Sequence, residues 1–338
     1  MAKIRKLRFY DIFRIKKMIS LLKSDNFSSF STYFTPFPLN LIQDLLPFTL
    51  KTFAESYVIE DLQELQGVIS LQSQKGNPYK WKITKLFLNE NAYGAGSQLL
   101  NFVLSKYGAK GVNTFYAKID DKNTDLLELF SKSAGFRNCS CEHISLIDIT
   151  KIKNIQKEEK YVYRPFKNSD AFMVAELYND LIYPHFRYSL SKKGKEFRDD
   201  ICKGLSRISS FKYVIEDTQT KRLVGYFRIA TEDNYHYCLE VFAYQPYLNL
   251  LENVVHYAYE QIQKRKKEFK FYFHNKKYQT NFDIINNKIK QASGDFTIQT
   301  IMVKDYYKRV EETEKITSSA IFFNEARTIN KSFNGYNV

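Results

Sequence analysis

The stretch Trp81-Lys-Ile-Thr-Lys-Leu-Phe-Leu88-Asn-Glu-Asn-Ala-Tyr-Gly94-Ala-Gly96-Ser-Gln-Leu-Leu-Asn-Phe-Val-Leu104 decides how the chain is read. It has the pattern of a strand, a glycine-bearing loop and the first turns of an amphipathic helix. A strand that passes through Gly-x-Gly into a helix aims unbonded backbone N–H groups at one spot, where the helix dipole favours negative charge. Gly94 and Gly96 leave no Cβ between that backbone and a ligand, so a diphosphate can approach closely. The same spacing also serves as a plain turn, so the rest of the chain must decide between the two.

At 338 residues, with 44% hydrophobic and 16% aromatic content, the chain is long enough for two cores and too apolar to be disordered. No apolar run approaches the roughly 20 residues that span a bilayer. Met1–Leu22 mixes charged and apolar residues and has no small-residue cleavage site, so neither a secretory signal nor a membrane anchor is expected. Cys139, Cys141, Cys202 and Cys238 are too few and too irregular for a disulfide framework. Cys139-x-Cys141 is too tight for a zinc half-site, and His143 does not complete it. The expectation is a cytoplasmic protein with no metal and no membrane partner. The net charge of +14 would attract nucleic acid, anionic lipid and phosphorylated cofactors alike, but it is spread evenly and reads as solvated surface. In the most basic stretch, Lys264–Lys277, interleaved rings could stack on single-stranded nucleic acid. Lys264–Lys267 read instead as a helix end, and Phe269, Phe271 and Phe273 as the buried face of a strand, so nucleic acid is not the expected partner.

Internal repetition organises the chain. A strand opening at Lys3–Phe9 leads into apolar positions Ile12, Ile15, Ile19 and Leu22, and Tyr161–Phe166 leads into Phe172, Val174, Ala175 and Leu177 after a candidate cap at Ser169-Asp170. Arg5 to Gly67 is 62 positions and Arg164 to Gly225 is 61. Strands ending near Leu88 and Tyr244 correspond, as do strands starting at Asn113 and Phe269 and final strands at Phe136–Ile147 and Phe296–Asp305. The expected organisation is a domain over 1–150, a Lys/Glu-rich linker over 151–160, a second domain over 161–308 and a tail over 309–338.

This order of elements resembles the GNAT N-acyltransferase superfamily. The loop Asn91-Ala-Tyr-Gly94-Ala-Gly96 is similar to the family's Q/R-x-x-G-x-G/A pyrophosphate loop. Asn123, heading Asn-Thr-Asp-Leu-Leu-Glu-Leu-Phe130-Ser-Lys-Ser-Ala-Gly135-Phe136, is similar to its N-x-x-A-x-x-x-Y-x-x-x-x-G-F stretch. The resemblance covers residues 1 to about 148 in motifs, and 161 to about 305 in architecture alone. It implies a mixed α/β fold of two tandem GNAT-like domains, each a mostly antiparallel mixed sheet flanked by helices. It further implies that acetyl-CoA or another acyl-CoA lies between splayed fourth and fifth strands. The amides of Ala92, Tyr93, Gly94, Ala95, Gly96 and Ser97 would bind the diphosphate, with Asn91 opening the loop. The backbone of Leu86, Phe87 and Leu88 would pair with the pantetheine arm, near Asn123.

Three departures shape the functional expectation. Asn91 stands where the family has Arg or Gln, and Phe130 stands where it commonly has a tyrosine that reprotonates the leaving thiolate. A phenyl ring cannot do this, which leaves water or the Tyr116 hydroxyl as the acid and Glu90 as a candidate base. In the second copy the positions of Gly94 and Gly96 fall on Leu250 and Glu252, and a carboxylate there repels a diphosphate. The expected activity is therefore transfer of an acyl group to a small-molecule or protein amine, with the cofactor held by the first copy. The alternatives are a non-catalytic tandem binding module and an aminoacyl-tRNA-dependent transferase. Ser28–Pro38, with Phe30, Tyr33, Phe34 and Phe37, is a candidate acceptor-binding segment.

Overall fold

Arg5 and Arg164 show at atomic scale that the chain repeats itself. Arg5 donates through both terminal nitrogens to Asp11 at 2.6 and 2.7 Å, and through Nη2 and Nε to Glu60 at 2.7 and 2.9 Å. Arg164 engages the equivalent pair, Asp170 through both terminal nitrogens at 2.9 and 3.0 Å and Glu216 through Nε alone at 2.6 Å. In both copies the aspartate also accepts a backbone N–H three residues earlier, from Arg8 and from Lys167, each at 2.7 Å. Asp170, expected to cap a helix, is thus spent on its arginine, and the helix it precedes starts behind a short 3-10 turn.

The computed structural model describes residues 2–8, 10–11, 13–15, 17, 55–62, 64–89, 92–153, 159–199, 209–231 and 233–306. The candidate acceptor segment Ser28–Pro38, the residues Glu90 and Asn91, and the 309–338 tail lie outside the described residues. The first copy supplies β1 (Lys3–Lys6), β2 (Glu55–Asp61), β3 (Glu64–Gln74), β4 (Asn77–Leu88), α1 (Tyr93–Gly108), β5 (Thr114–Asp120), α2 (Thr124–Glu128, running into a π-turn at Leu129–Ser133) and β6 (Arg137–Ile147). The second supplies β7 (Tyr161–Pro165), α3 (Ala171–Asp180), α4 (Arg187–Leu190), α5 (Gly194–Phe197), β8 (Ser209–Asp217), β9 (Leu223–Thr231), β10 (His236–Ala243), α6 (Leu251–Gln263), β11 (Lys270–Lys276), α7 (Phe282–Ile289) and β12 (Ser293–Asp305).

All of these strands form one twelve-stranded sheet in the order β1-β2-β3-β4-β5-β12-β6-β11-β10-β9-β8-β7. The final strands are exchanged. β6 leaves its own copy to pair antiparallel with β11 (His274 opposite Ile144), and β12 inserts between β5 and β6 (Gln299 opposite Glu142). The Asp121 amide donates to Ile298 O at 2.9 Å, and Thr300 Oγ1 donates to Asp121 at 2.9 Å. Neither copy closes its sheet without the other. Both copies accordingly belong to one compact unit, Met1–Lys304.

β10 is buried on both faces, at every position after His236. One face packs under α6 and α7 around Phe227, Leu239, Val254, Phe271 and Ile285. The other packs under α3 to α5 around Val174, Tyr178, Phe197, Tyr226 and Phe242. In the first copy α1 buries Leu99, Leu100, Val103, Leu104 and Tyr107, and the Tyr107 and Tyr57 hydroxyls meet at 2.9 Å.

Gly67 and Gly225 occupy equivalent places where β3 and β9 cross their neighbours. A Cβ on Gly67 would lie 2.9 Å from Leu88 and 3.1 Å from the Phe87 carbonyl; one on Gly225 would lie 2.7 Å from Ile215 and 3.3 Å from the Phe242 carbonyl. Gly67→Ala and Gly225→Ala are each expected to destabilise the fold by about 1–3 kcal/mol, as overpacking does. Denaturant unfolding of the two variants checks this.

Candidate functional site

β4 and β5 run parallel and pair at Lys80–Thr114, Trp81–Phe115, Lys82–Tyr116 and Ile83–Ala117. There the pairing stops, while β4 continues to Leu88 with β3 as its partner on the other edge. Leu86, Phe87 and Leu88 therefore present one backbone edge that β5 does not occupy. β4 leads directly to the N-terminus of α1, which has no side-chain cap and no acidic residue in its first turn. The first backbone bond of this helix runs from the Gly96 amide to Ala92 O at 3.1 Å, so the amides of Tyr93, Gly94 and Ala95 precede the bonded turns.

The two glycines of this loop do different work. A Cβ on Gly94 would meet nothing within 4 Å among the described residues, so Gly94 faces open space there. A Cβ on Gly96 would lie 2.6 Å from Leu88 Cδ1 and 2.8 Å from Leu129 Cδ2. Gly96 thus lets α1 pack on β4 and the π-turn, and Gly94 is the one that clears an approach to the amides.

Asn123 caps α2, its Oδ1 accepting the Leu126 amide at 3.1 Å. Phe130 is buried on the π-turn and meets Phe136 edge-on at 5.0 Å, so this position holds apolar packing and no proton donor. Ser133 Oγ, on the same turn, donates to the Tyr93 hydroxyl at 3.4 Å, which ties the start of α1 to the end of α2. Tyr116 pairs with Lys82, six residues back along β4 from Leu88, or about 20 Å at a strand rise of roughly 3.3 Å. Burial, with Glu196 and Glu142 nearby, pushes its hydroxyl pKa up, which makes Tyr116 a weaker acid.

The second copy closes the equivalent place. Its parallel pairing continues to Glu240–His274, leaving only Val241–Ala243 of β10 beyond it. Asn281, which precedes α7 as Asn123 precedes α2, donates its Nδ2 across the opening to Ala243 O at 3.2 Å. A 3-10 turn at Gln245–Leu250 delays the start of α6, so Glu252, and not Leu250, stands opposite Gly94 as the second residue of its helix. The Glu252 carboxylate lies in that first turn and pairs with Lys288 at 2.9 Å. An anion of the chain's own already occupies the pole of this helix.

Between the two copies lies a charged cluster that the sequence reading missed. His274 Nε2 lies 2.8 Å from Glu142, and its Nδ1 lies 3.0 Å from Glu240. A carboxylate can only accept, so an imidazole bridging two of them carries both protons. Burial opposes that charge, but Glu142 and Glu240 outweigh burial and raise the His274 pKa to about 10. Burial alone would raise Glu142; Lys118, His274 and Lys276 hold it well below the usual carboxylate range instead. Tyr278 adds a hydroxyl donor to Glu142 at 3.1 Å. The available signal was a set of charged residues (Glu240, His274, Lys276) alternating with apolar ones in strands that sit mid-sheet and have no exposed face.

This cluster sets a pH dependence. The folded pKa of His274 lies above its ordinary value of 6.5, so its stabilisation is complete below about pH 6.5 and is lost as pH rises towards 10. Glu142 and Glu240 shift downward, so theirs is present above about pH 4.5 and is lost in acid. Stability is expected to peak between these limits, and His274→Gln is expected to flatten the alkaline decline. Unfolding followed from pH 4 to 10 measures both.

Among the described residues, no group of three or more His, Cys, Asp or Glu is placed to hold a metal ion, and no helix is long and apolar enough to cross a membrane. Neither a protein-family model nor a curated protein matches the sequence. Solved structures do match. A tandem GNAT protein from the clavulanic acid biosynthesis pathway superposes with a TM-score of 0.60 at 10% identity, over 91% of this chain and 100% of that one. A GCN5-related N-acetyltransferase from Sphaerobacter thermophilus gives 0.58 at 10% identity, over 91% and 97%. An acetyltransferase from Pyrococcus horikoshii, described only by that general activity, gives 0.51 at 12% identity, over 92% and 91%. With its doubled arginine triads, parallel β4–β5 splay and Gly-x-Gly helix start, the chain has the fold of the tandem GNAT acetyltransferases.

Proposed function

We propose that the protein is an N-acyltransferase that takes an acyl group from acetyl-CoA or a related acyl-CoA and passes it directly to an amine. The observation that carries this reading is the junction of β4 and α1. There the strand edge that β5 leaves after Ile83 leads into an uncapped helix N-terminus cleared by Gly94. These features fit an acyl-CoA: Leu86–Leu88 would receive the amide-bearing arm, and the Tyr93, Gly94 and Ala95 amides would hold the diphosphate. The bound thioester supplies the activated acyl group. The chain's own part is to hold the two reactants in register, and such positioning can supply much of a rate enhancement.

The first copy, 1–150, would hold the cofactor, and the second, 161–308, joined through 151–160, would wall the acceptor site. The acceptor is a small-molecule or protein amine, and the protein would act in the cytoplasm. A non-catalytic binding module is the second reading, favoured by the buried phenyl ring of Phe130 in place of a proton donor. Following thiol release from acetyl-CoA across a panel of amines separates the two. Amine-dependent release supports transfer, whereas tight acetyl-CoA binding without release across the panel supports the module.

A further inference from the structure

We infer that the cluster between the two copies is a recognition site for the anionic group of the acceptor, so that the acceptor is an amine that also carries a carboxylate or phosphate. This inference rests on the acyltransferase reading for the word acceptor, and on the following geometry for the anion.

Around Glu142 and Glu240 the basic groups are in excess. Lys118 pairs with Glu142, while Lys276 lies 3.2 Å and Arg228 3.1 Å from Glu240, and His274 bridges both. With His274 protonated, these four cations face two carboxylates. Lys192 adds a further ammonium whose neighbours are the rings of Tyr178 at 4.7 Å and Phe197 at 5.5 Å. Among the described residues no carboxylate lies within ion-pairing distance of it. The Lys276 ammonium sits over the same Tyr178 ring at 5.6 Å, so two cations share one ring, and of the two only Lys276 makes an ion pair among the described residues, with Glu240. Arg228 Nε is buried and has no hydrogen-bond acceptor among the described residues. Glu196, the other acid nearby, is occupied by Gln74 and the Lys193 amide, and burial raises its pKa.

An unmatched positive charge in a desolvated setting is unfavourable until an anion arrives. Burial and the neighbouring Lys276 accordingly lower the Lys192 pKa to about 7. The site is also approachable. The Arg228 side chain is 37% exposed and Lys192 is half-buried, so an anion can reach both from solvent. Lys118, one residue past the last β4–β5 pair, carries its ammonium from the first-copy strand to Glu142. Polycations such as polyamines or lysine-rich tails would be repelled by the same charges.

The test uses the full chain, inorganic phosphate as the anion probe and acetyl-CoA as the cofactor probe. Both are titrated by calorimetry into the wild type, Lys192→Met and Gly94→Glu. Lys192→Met removes an ammonium that makes no ion pair among the described residues, so the fold is expected to persist. Lys192→Gln, which keeps a polar end, serves if it does not. Phosphate is expected to bind the wild type and Gly94→Glu alike and to bind Lys192→Met about tenfold more weakly, as for the loss of one charge-assisted contact. Acetyl-CoA is expected to bind Lys192→Met as it binds the wild type. Three results would overturn the inference: no saturable phosphate binding, equal phosphate affinity in wild type and Lys192→Met, or phosphate binding lost in Gly94→Glu. Failure of acetyl-CoA to bind the wild type would sink the acyltransferase reading and leave the phosphate comparison readable on its own.

Discussion

Gly94→Glu is expected to weaken acetyl-CoA binding about a hundredfold while leaving the thermal midpoint unchanged or slightly raised. A Cβ at this position meets no atom of the described residues within 4 Å, so the substitution is expected to force no repacking. As the second residue of α1 it places a carboxylate at the positive pole of a helix whose first turn has no acid, which is mildly stabilising. The same carboxylate about 5 Å from a diphosphate charge costs roughly 3 kcal/mol at an effective dielectric of 20, or about two decades in affinity. Opposite signs for stability and binding are the signature of a site residue that the fold does not need. Gly96 is its contrast, because any side chain there meets Leu88 and Leu129 first.

Arg5→Met and Arg164→Met are each expected to remove about 3 kcal/mol of stability, lowering the midpoint by roughly 5 °C. Each variant leaves a buried aspartate without its bidentate partner: Asp11 is fully buried and the Asp170 side chain is 5% exposed. Thermal unfolding of the two variants side by side checks the size of the loss. Near-equal losses follow from the repeat, because the two triads hold the same strand to the same turn. A loss at Arg5 alone would show that the second copy has dispensed with its triad.

The repeat was legible because its markers are local. Arg5 and Arg164, Gly67 and Gly225 stand at fixed distances along strands and hairpins, and a strand's contacts with its hairpin partner follow from turn length. The exchange of β6 and β12 was not legible. Both strands are apolar and suitably long, and nothing in either names which copy's edge it joins; that is decided when the two sheets meet. The alignment that set Leu250 and Glu252 against the glycines slipped because no composition rule separates the 3-10 turn at Gln245–Leu250 from the first turn of a helix. The order strand, Gly-x-Gly, helix placed Gly94 at the site, but only the packing distinguishes its role from that of Gly96.

The charged cluster was missed for a related reason. Phe271 and Phe273 identify a buried face, and His274 and Lys276 then read as the solvated one. In an edge strand that inference holds. β11 instead lies between β6 and β10, where its second face is also covered, and the charges on it must find partners inside the protein.

Calorimetric titration of acetyl-CoA into the full chain decides whether the first copy alone binds the cofactor. Two or three charge-assisted bonds from the α1 amides, at about 1.5–3 kcal/mol each, are enough for much of a micromolar affinity. Saturation is expected at one acetyl-CoA per chain with micromolar affinity, lost in Gly94→Glu. Two sites per chain, no binding, or binding indifferent to Gly94→Glu would contradict it.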